Sequence, residues 1–465
     1  STLTVPGRLG TISGPGESPA EACRESQSIT YQEAEQLFPA NAEIKAPQGS
    51  WPNQKKGELL KGLKVLDLAN AGAAPVAGSW LKQYGADVIK ADPSQHPLPP
   101  FWANGTPYMS QGKRSILTDM KTAPGQEVFR RMVSWADVIT HNILDDTAQR
   151  LGATHAQLKA VNPEVISCQV SAFGGNHRGG WEKRAGFDFS AQATSGTLVQ
   201  YGTLAQPQIH GGGKMADVVA GFALAFIALL GVWQKRRTGY SGEGRTSLIL
   251  VNDYAQLPYM IDENGRSDWG EAHGQFALGE HWWQRLYQCR DGWIYVGTSK
   301  VRAPVLFETM LSKNVTDARD VDEQELEASF AAQSCDYWLK KLSSADIACQ
   351  PVQNAYGLYK KSTLRKVSNN EANDTAGDRL EILSWEDHPS GLVVKQPEPT
   401  WVRVGEDHSY TRLPTAPRLG EDTTVILREL GYSTEEIAEL IRIRVSHEFL
   451  PALGSKNTYF FNDEE

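Results

Sequence analysis

Short apolar runs alternate with amphipathic stretches from residue 62 to about residue 170 of this chain. The run from Lys64 to Leu68 predicts a buried strand, Ala74 to Tyr84 a helix, and Ala86 to Ala91 a second strand. A strand, a glycine-bearing loop, a helix and another strand within about 30 residues make a βαβ unit. Because further strands are predicted at 115–117, 138–140 and 165–170 with helices between them, we expect an open, mostly parallel sheet covered by helices.

The pattern changes elsewhere in the chain, and these changes predict its organisation. Residues 1–58 are rich in Pro, Gly, Ser and charge and are predicted to be a lead-in or linker. Aromatic-rich, turn-punctuated segments replace the alternation after about residue 278, and long amphipathic helices return from Pro414. We therefore predict a large α/β domain from residues 59–255 and 405–465, and a smaller α+β domain over 270–404.

The most apolar run extends from Ala216 to Trp233. It contains Asp217 near its start and is followed by three basic residues at 235–237, so it is short and wrongly flanked for a bilayer span. We predict a core helix instead.

Composition excludes several classes of protein. The 465 residues carry 46 basic and 55 acidic side chains, a net charge of −9 that argues against nucleic acid as the main partner. Five scattered cysteines without a C-x-x-C pair indicate neither a disulfide framework nor a zinc site, and the ten histidines have no metal-ligand spacing. These features predict a cytoplasmic protein without a metal. Since the chain begins at Ser1 with a long lead-in, we expect it to be part of a longer protein.

A glycine run at 211–213 precedes the apolar helix and places Asp217 in the first helical turn. Asp217 could simply cap the helix by accepting backbone N–H bonds. Alternatively, the positive end of the helix keeps the carboxylate anionic, the glycines let a ligand approach, and Asp217 is a covalent nucleophile. A dinucleotide-dependent oxidoreductase is disfavoured because the loop after the first strand, Asn70 to Pro75, lacks G-x-G-x-x-G.

An aromatic cluster surrounds Trp282 and Trp283 in the predicted smaller domain. Such a cluster fits core packing. It also fits the wall of a ligand site, where the rings would contact a cationic group.

Several short motifs occur together in a characteristic order. They are GLKVLDL at 62–68, YGADVIK at 84–90, GKRSI at 112–116, LTDMK at 117–121, ADVI at 136–139, RLG at 150–152, NPEVI at 162–166, GFD at 186–188 and APRLGED at 416–422. In this order and spacing the chain resembles the family III CoA-transferases, over roughly residues 62–445. The related α-methylacyl-CoA racemases carry an acid/base histidine at the position of Phe187, so the resemblance favours transfer over racemisation.

The resemblance implies an aspartyl mechanism in which Asp217 attacks the donor thioester. Asp188 matches a position that is acidic in several transferases and is expected to orient the acceptor, although it could equally be a capping residue. Expected contacts to coenzyme A are Asn70, Gly72, Ala73, Lys121, Asn142 and Arg150, and expected substrate contacts are Gly212, Gly213, Trp282 and Trp283. Cationic side chains in the first set suit the phosphates of coenzyme A.

The family also implies an architecture and a partner. Its members form interlocked dimers, each with a Rossmann-like large domain built from both chain ends and a small domain between. The expected function is CoA transfer from an acyl-CoA donor to a carboxylic acid. Two alternatives stay open: transfer coupled to lyase cleavage of a cationic substrate such as dimethylsulfoniopropionate by a tandem protein, or a catalytically silent CoA-binding half.

Overall fold

A computed structural model describes residues 59–94, 109–174, 184–209, 215–256, 276–311, 322–354 and 413–448, together with strand segments at 3–4, 28–29, 363–367, 381–385 and 394–397. The described residues form two compact units. The first unit draws on Ser1–Ser195, Gly212–Tyr254 and Leu364–Glu465, and the second on Gly196–Gly211 and Ala255–Thr363.

The strands are numbered along the chain. They are β1 (Leu3–Thr4), β2 (Ser28–Ile29), β3 (Lys64–Asp67), β4 (Asp87–Asp92), β5 (Arg114–Thr118), β6 (Val138–His141), β7 (Ile166–Ser171), β8 (Glu243–Ser247), β9 (Gly279–His281), β10 (Gln284–Cys289), β11 (Gly292–Gly297), β12 (Ala348–Pro351), β13 (Thr363–Val367), β14 (Glu381–Trp385), β15 (Val394–Pro397) and β16 (Ser446–His447).

The helices are numbered in the same way. They are α1 (Ala73–Gln83), α2 (Ala123–Trp135), α3 (Asp145–Leu151), α4 (His155–Val161), α5 (Asp188–Thr194), α6 (Thr197–Tyr201), α7 (Met215–Thr238), α8 (Leu248–Ala255), α9 (Ala303–Leu311), α10 (Glu323–Ala332), α11 (Cys335–Ser344), α12 (Thr423–Glu429) and α13 (Thr434–Arg442).

A seven-stranded sheet forms the centre of the first unit, in the order β16-β5-β4-β3-β6-β7-β8. All of its neighbours pair in parallel except β16, which is antiparallel to β5. This arrangement confirms the expected α/β fold with a mostly parallel sheet. Strands β4 and β5 extend the sheet on one side of β3, and the next strand along the chain, β6, pairs with the other side of β3. The carboxyl ends of β3 and β6 therefore meet at a topological switch point, where open α/β sheets bind their ligands.

Each face of this sheet has its own apolar core. One face packs β3, β6 and β7 against α1 and α7, through residues such as Val65, Ala77 and Leu224. The other face packs against α2, α4, α12 and α13, through residues such as Leu66 and Met132. The strands read as continuous apolar runs because both faces are buried.

Helix α7 is buried on one face only. It is long and apolar enough to cross a membrane by length and composition, with 39% of its most apolar window buried in the structure. The sequence predicts a core helix, but Phe226, Leu230 and Trp233 are 61%, 46% and 57% exposed. A helix that is apolar all round needs cover on every side, so this exposed stripe is available for a partner.

The C-terminal segment completes the large sheet. The Asp422 carboxylate accepts the backbone N–H of Ser115 at 2.8 Å, and the Gly420 N–H donates to Ser115 Oγ at 2.8 Å. Helix α13 starts with a full capping box in which Ser433 and Glu436 exchange hydrogen bonds.

The second unit contains a four-stranded sheet in the order β12-β11-β10-β9, with antiparallel pairing throughout. Helices α9, α10 and α11 supply the rest of its core, around Phe330 and Trp338. The separate sheet β13-β14-β15 falls almost entirely within the first unit, although its residues lie in the range 270–404 that the sequence predicts to be the smaller domain. The short apolar patterns of such strands identify a strand but not the unit that it joins.

Candidate active site

Close packing between α1 and α7 brings two chain segments together at the switch point. Gly221 on α7 has no side chain, and an ideal Cβ there would lie 2.6 Å from the carbonyl oxygen of Ala73 on α1. Ala216, Ala220 and Leu224 are buried on the same face of α7. Small residues thus let the two helix backbones approach, which places the N-terminal ends of both helices side by side.

Asp217 lies in the first turn of α7, and its carboxylate contacts the residue that precedes α1. An ideal Cβ on Gly72 would lie 2.1 Å from Oδ2 and 2.6 Å from Cγ of Asp217, so the carboxylate fills the space that a side chain would need. Helix α1 has no acidic residue in its own first turn and no side-chain cap. The Asp217 carboxylate therefore lies beside the N-terminal ends of two helices, and both stabilise its negative charge. Asp217 is 8% exposed.

Asp188 fixes the backbone of the same turn. Its Oδ2 accepts the backbone N–H of Asp217 at 2.9 Å, and its Oδ1 accepts a hydrogen bond from Gln192 Nε2. All three residues are buried. In this structure the Asp188 carboxylate thus holds the chain at Asp217, and Gln192 holds Asp188 from the next turn of α5.

The loop after β3 is paired with the residue after β6. Asn142 Nδ2 donates to the carbonyl oxygen of Asn70 at 2.6 Å, and Asn142 Oδ1 accepts the Asn70 N–H at 2.9 Å. Ala71 has a φ of +62°, in the left-handed region that favours glycine. Three residues predicted to contact coenzyme A, Asn70, Gly72 and Asn142, are therefore brought together, and Gly72 is the one that contacts Asp217.

A buried ion pair lies beneath this loop. Lys113 Nζ donates to Asp67 Oδ2 and to the carbonyl oxygen of Pro75, each at 2.7 Å. Asp67 Oδ1 in turn accepts the backbone N–H of Ala69 at 3.0 Å. Gly78 leaves room for the ammonium group, since an ideal Cβ there would lie 2.9 Å from Nζ. Burial lowers the pKa of Lys113, and the charge of Asp67 opposes this effect.

The other expected coenzyme A residues lie on the same edge of the sheet. Lys121 follows β5 and is exposed, and Arg150 is exposed on α3, where it donates to Thr147 Oγ1 at 2.8 Å. Ala73 is the buried first residue of α1. Gly212 and Gly213 lie outside the described residues.

Trp282 and Trp283 belong to the second unit and are placed differently from one another. Trp282 is 5% exposed and lies in the core, edge-on to Phe307 with ring centroids 6.3 Å apart. Trp283 is partly buried and stacks on His281, with centroids 4.4 Å apart. Core packing, one of the two alternatives that the sequence leaves open, accounts for Trp282. Of these two tryptophans, Trp283 is the one exposed enough to contribute to an aromatic ligand wall.

His141 is a buried titratable group close to the loop. Its Nδ1 has no hydrogen-bond partner within the described part of the chain, and burial, helped by the charge of Arg245, lowers its pKa to about 4. His141 is therefore neutral near pH 7. Within the described ranges, no group of three or more His, Cys, Asp or Glu side chains is placed to hold a metal ion.

The site predicted from the sequence omits Gln192, Asp67, Lys113 and Gly221. Gln192 could in principle be found from the sequence, because its spacing of four residues from Asp188 puts both on one face of a helix. The contacts of Asp67, Lys113 and Gly221 join distant segments, and no local pattern contains them.

The family model for CoA-transferase family III matches residues 60–423. The chain belongs to CoA-transferase family III. Family membership makes CoA transfer the class of activity to be expected of this chain.

The relatives of this family III CoA-transferase include proteins of different length. It is 31% identical over 468 residues to the CoA-transferase/lyase DddD of Marinomonas sp. (strain MWYL1), which covers 96% of this chain but 55% of that protein. The chain thus spans about half the length of that relative. It is 24% identical to human succinyl-CoA:glutarate CoA-transferase, over 85% of this chain and 92% of the relative.

A solved structure has the same fold. The CAIB/BAIF family protein from Brucella suis matches with a TM-score of 0.61 and 22% identity, over 81% of this chain and 100% of that chain. This likeness supports the α/β architecture.

Proposed function

We propose that this transferase moves CoA from an acyl-CoA donor to a carboxylic acid through a covalent intermediate on Asp217. The observation that carries the proposal is the position of the Asp217 carboxylate, buried against Gly72 beside the N-terminal ends of two helices. The positive ends of two helices favour the anionic form of this buried carboxylate, and an anionic carboxylate can act as a covalent nucleophile.

The chemistry then runs in two symmetrical halves. Asp217 Oδ attacks the carbonyl carbon of the donor thioester, the C–S bond breaks, and CoA thiolate leaves behind an acyl-aspartyl anhydride. The thiolate attacks the Asp217 carbonyl carbon and releases the donor acid as its carboxylate, which leaves an aspartyl-CoA thioester. The acceptor carboxylate repeats these steps in reverse and leaves as its own CoA ester. No proton is gained or lost overall, and the thioester energy is conserved.

The surrounding residues are proposed to share the binding of coenzyme A. The loop with Asn70, Gly72 and Ala73 lies at the switch point, where ligands of such sheets bind. Exposed Lys121 and Arg150 on the same edge suit the phosphates, because the negative net charge of the protein gives no general attraction for a polyanion.

Steady-state transfer by Asp217 variants tests the proposal. The assay uses acetyl-CoA or succinyl-CoA as donor, with acetate, glutarate or dimethylsulfoniopropionate as acceptor, and follows the new CoA ester by chromatography. Asp217→Ala and Asp217→Asn are expected to lower kcat at least about 1,000-fold, because the covalent route is lost. Asp145→Asn, which changes an acidic residue outside this loop, controls for the loss of charge. Full exchange of CoA by Asp217→Ala would overturn the proposal.

A second candidate is CoA transfer coupled to lyase cleavage of a cationic acceptor. The likeness to the Marinomonas CoA-transferase/lyase over 96% of this chain favours it, although that relative is about twice as long. Release of dimethyl sulfide from dimethylsulfoniopropionate in the presence of acetyl-CoA would support this candidate. Formation of the CoA ester without release of the sulfide would support simple transfer. If a cation site uses the second unit, Trp283→Ala should raise KM for this acceptor alone.

A silent CoA-binding half is disfavoured because Asp217 is present. We also propose that the protein assembles as an interlocked homodimer or with an equivalent half in tandem, in the cytoplasm. The stripe of Phe226, Leu230 and Trp233 on α7 supports such an assembly, since so large an apolar face is costly in water. Sedimentation velocity of the wild type and of Trp233→Lys tests it. Identical monomeric profiles for both proteins would contradict the homodimer.

A further inference from the structure

Asn142 and Asn70 lie 72 positions apart in the chain and are joined by two hydrogen bonds, much as residues on two paired strands are. The backbone pairing between the ends of β3 and β6 closes with the Leu68 N–H donating to the Thr140 carbonyl at 2.9 Å. Two residues further on, the Asn142 carboxamide takes the place of a strand's backbone amide, since it both donates to and accepts from the backbone of Asn70. The pair therefore extends the sheet by one side chain at the switch point.

The loop that this pair holds is strained. Ala71 follows Asn70 with a φ of +62°, a left-handed conformation that is unfavourable for an L-residue. Strained backbone persists only where the surrounding structure over-determines it. Here the residues before Ala71 are fixed by side chains: Asp67 holds the Ala69 N–H, and Asn142 holds both polar groups of Asn70.

The next residue is the one that touches the nucleophile. Gly72 lies against the Asp217 carboxylate so closely that no side chain fits between them. Any relaxation of Ala71 therefore shifts the surface on which the carboxylate rests. A displacement of about 1 Å at a reacting group can cost about 100-fold in rate.

We propose that Asn142 is a positioning residue of this active site. Its carboxamide holds the strained turn Asn70–Ala71–Gly72 in place and so sets the orientation of the Asp217 carboxylate. This inference rests on the proposed function, in which Asp217 is the nucleophile. It also changes the role that the sequence suggests for Asn142, from a contact to coenzyme A to a contact within the protein.

The split between kcat and KM distinguishes the two roles. Asn142→Asp keeps the size of the side chain but replaces the Nδ2 donor with an oxygen that repels the Asn70 carbonyl. In the donor and acceptor pair that the wild type uses fastest, we expect kcat to fall about 100-fold and KM for the acyl-CoA to change less than about 3-fold. An unchanged kcat with a raised KM would identify a direct contact to coenzyme A and overturn the proposal.

A second substitution tests the strain itself. Glycine adopts a positive φ without a clash, so Ala71→Gly removes the need to hold the turn. In the Asn142→Ala background, adding Ala71→Gly is expected to recover kcat by about 10-fold or more. No recovery would contradict the proposal.

Asn162→Ala is the matched control. The Asn162 carboxamide also donates two bonds to backbone, to Val133 at 3.0 Å and Ala136 at 2.8 Å, but it precedes β7 at the opposite end of the sheet. We expect it to lower stability and leave kcat within about 2-fold of the wild type. An equal loss of kcat in both asparagine variants would mean general softening and would overturn the specific role.

Hydrogen exchange gives a readout that does not depend on activity. The Asn70 amide is bonded to Asn142 Oδ1, so its exchange should speed up in Asn142→Ala and stay slow in Asn162→Ala. Asp217→Ala, measured alongside, separates the two claims. If Asp217→Ala transfers CoA normally, the proposed function fails, while exchange at Asn70 still reports on the pairing. If Asp217→Ala is inactive and Asn142→Asp is normal, only the positioning role fails.

Discussion

At the scale of single residues, the site depends on a missing side chain. Gly72 has an ordinary negative φ, so its role is not backbone freedom but space: a Cβ there would lie 2.1 Å from Asp217 Oδ2. Real Cβ atoms do not approach other atoms so closely, so the carboxylate or the loop must move.

Gly72→Ala is therefore expected to lower kcat by about 100-fold while the protein stays folded, because the change displaces the carboxylate and leaves the core intact. Transfer assays and thermal unfolding measure the two effects. Gly242→Ala is the control, since a Cβ there meets its nearest atom, on Tyr240, at 3.5 Å. Equal kcat for Gly72→Ala and Gly242→Ala would refute the role of Gly72.

Some residues of the site can be predicted from the sequence and others cannot. Asp217 could be singled out from the chain alone, because a glycine run before an apolar helix exposes a first-turn carboxylate. The pairing of Asn142 with Asn70 could not, because it joins segments that meet only when β3 and β6 pair. The sequence alone does not decide whether Trp282 is a core residue or a ligand contact, since an aromatic cluster has the same composition in a core and in a ligand site.

At the scale of elements, the crossing of α1 and α7 brings Asp217 to the loop after β3. The sequence predicts both helices and five strands of the large sheet, β3 to β7, because each of these segments is a clear apolar run. It does not predict the antiparallel edge strand β16, since two residues carry no period and their pairing with β5 is set by the whole C-terminal segment.

Gly221→Ala tests the helix crossing. The new methyl would meet the Ala73 carbonyl oxygen at 2.6 Å, so we expect a destabilisation of about 1–3 kcal/mol and a fall in kcat. Gly231→Ala on the same helix would meet Ile166 Cγ2 at 2.7 Å, ten residues further from the site. It should destabilise the fold without lowering kcat. Urea unfolding and transfer rates are the measurements, and a fall in kcat for both variants would contradict the account.

At the scale of the whole molecule, stability should depend on pH through His141. The unfolded chain binds a proton near pH 6.5, whereas the folded protein resists protonation of this histidine down to about pH 4. The unfolded state therefore holds more protons between these values, and the stability present above pH 6.5 is lost as the pH falls. We expect this one group to cost about 3 kcal/mol between pH 7 and pH 4.

Urea unfolding of the wild type and of His141→Gln at several pH values isolates this contribution. The carboxylates and the other histidines titrate equally in both proteins. The difference between the two curves of unfolding free energy against pH therefore belongs to His141. The free energy of unfolding of the wild type should fall relative to that of His141→Gln as the pH falls below 6.5. Parallel curves would show that His141 does not titrate in this way.

The net charge of −9 and the family membership fit together at this scale. An acidic protein that binds a polyanionic substrate must rely on local groups, and under the proposed function the helix ends, the loop at the switch point and a few exposed cations would supply them. In the proposed assembly with a second copy, the exposed stripe of α7 would be part of the interface.

The central claim is that Asp217 carries the acyl group and then CoA. The most direct measurement traps this adduct: the protein is mixed with acetyl-CoA or succinyl-CoA, treated with hydroxylamine, digested and mapped by mass spectrometry. The account predicts a hydroxamate on Asp217 in the wild type and none in Asp217→Asn. A wild-type protein that transfers CoA while the hydroxamate forms at another residue, or at none, would contradict it.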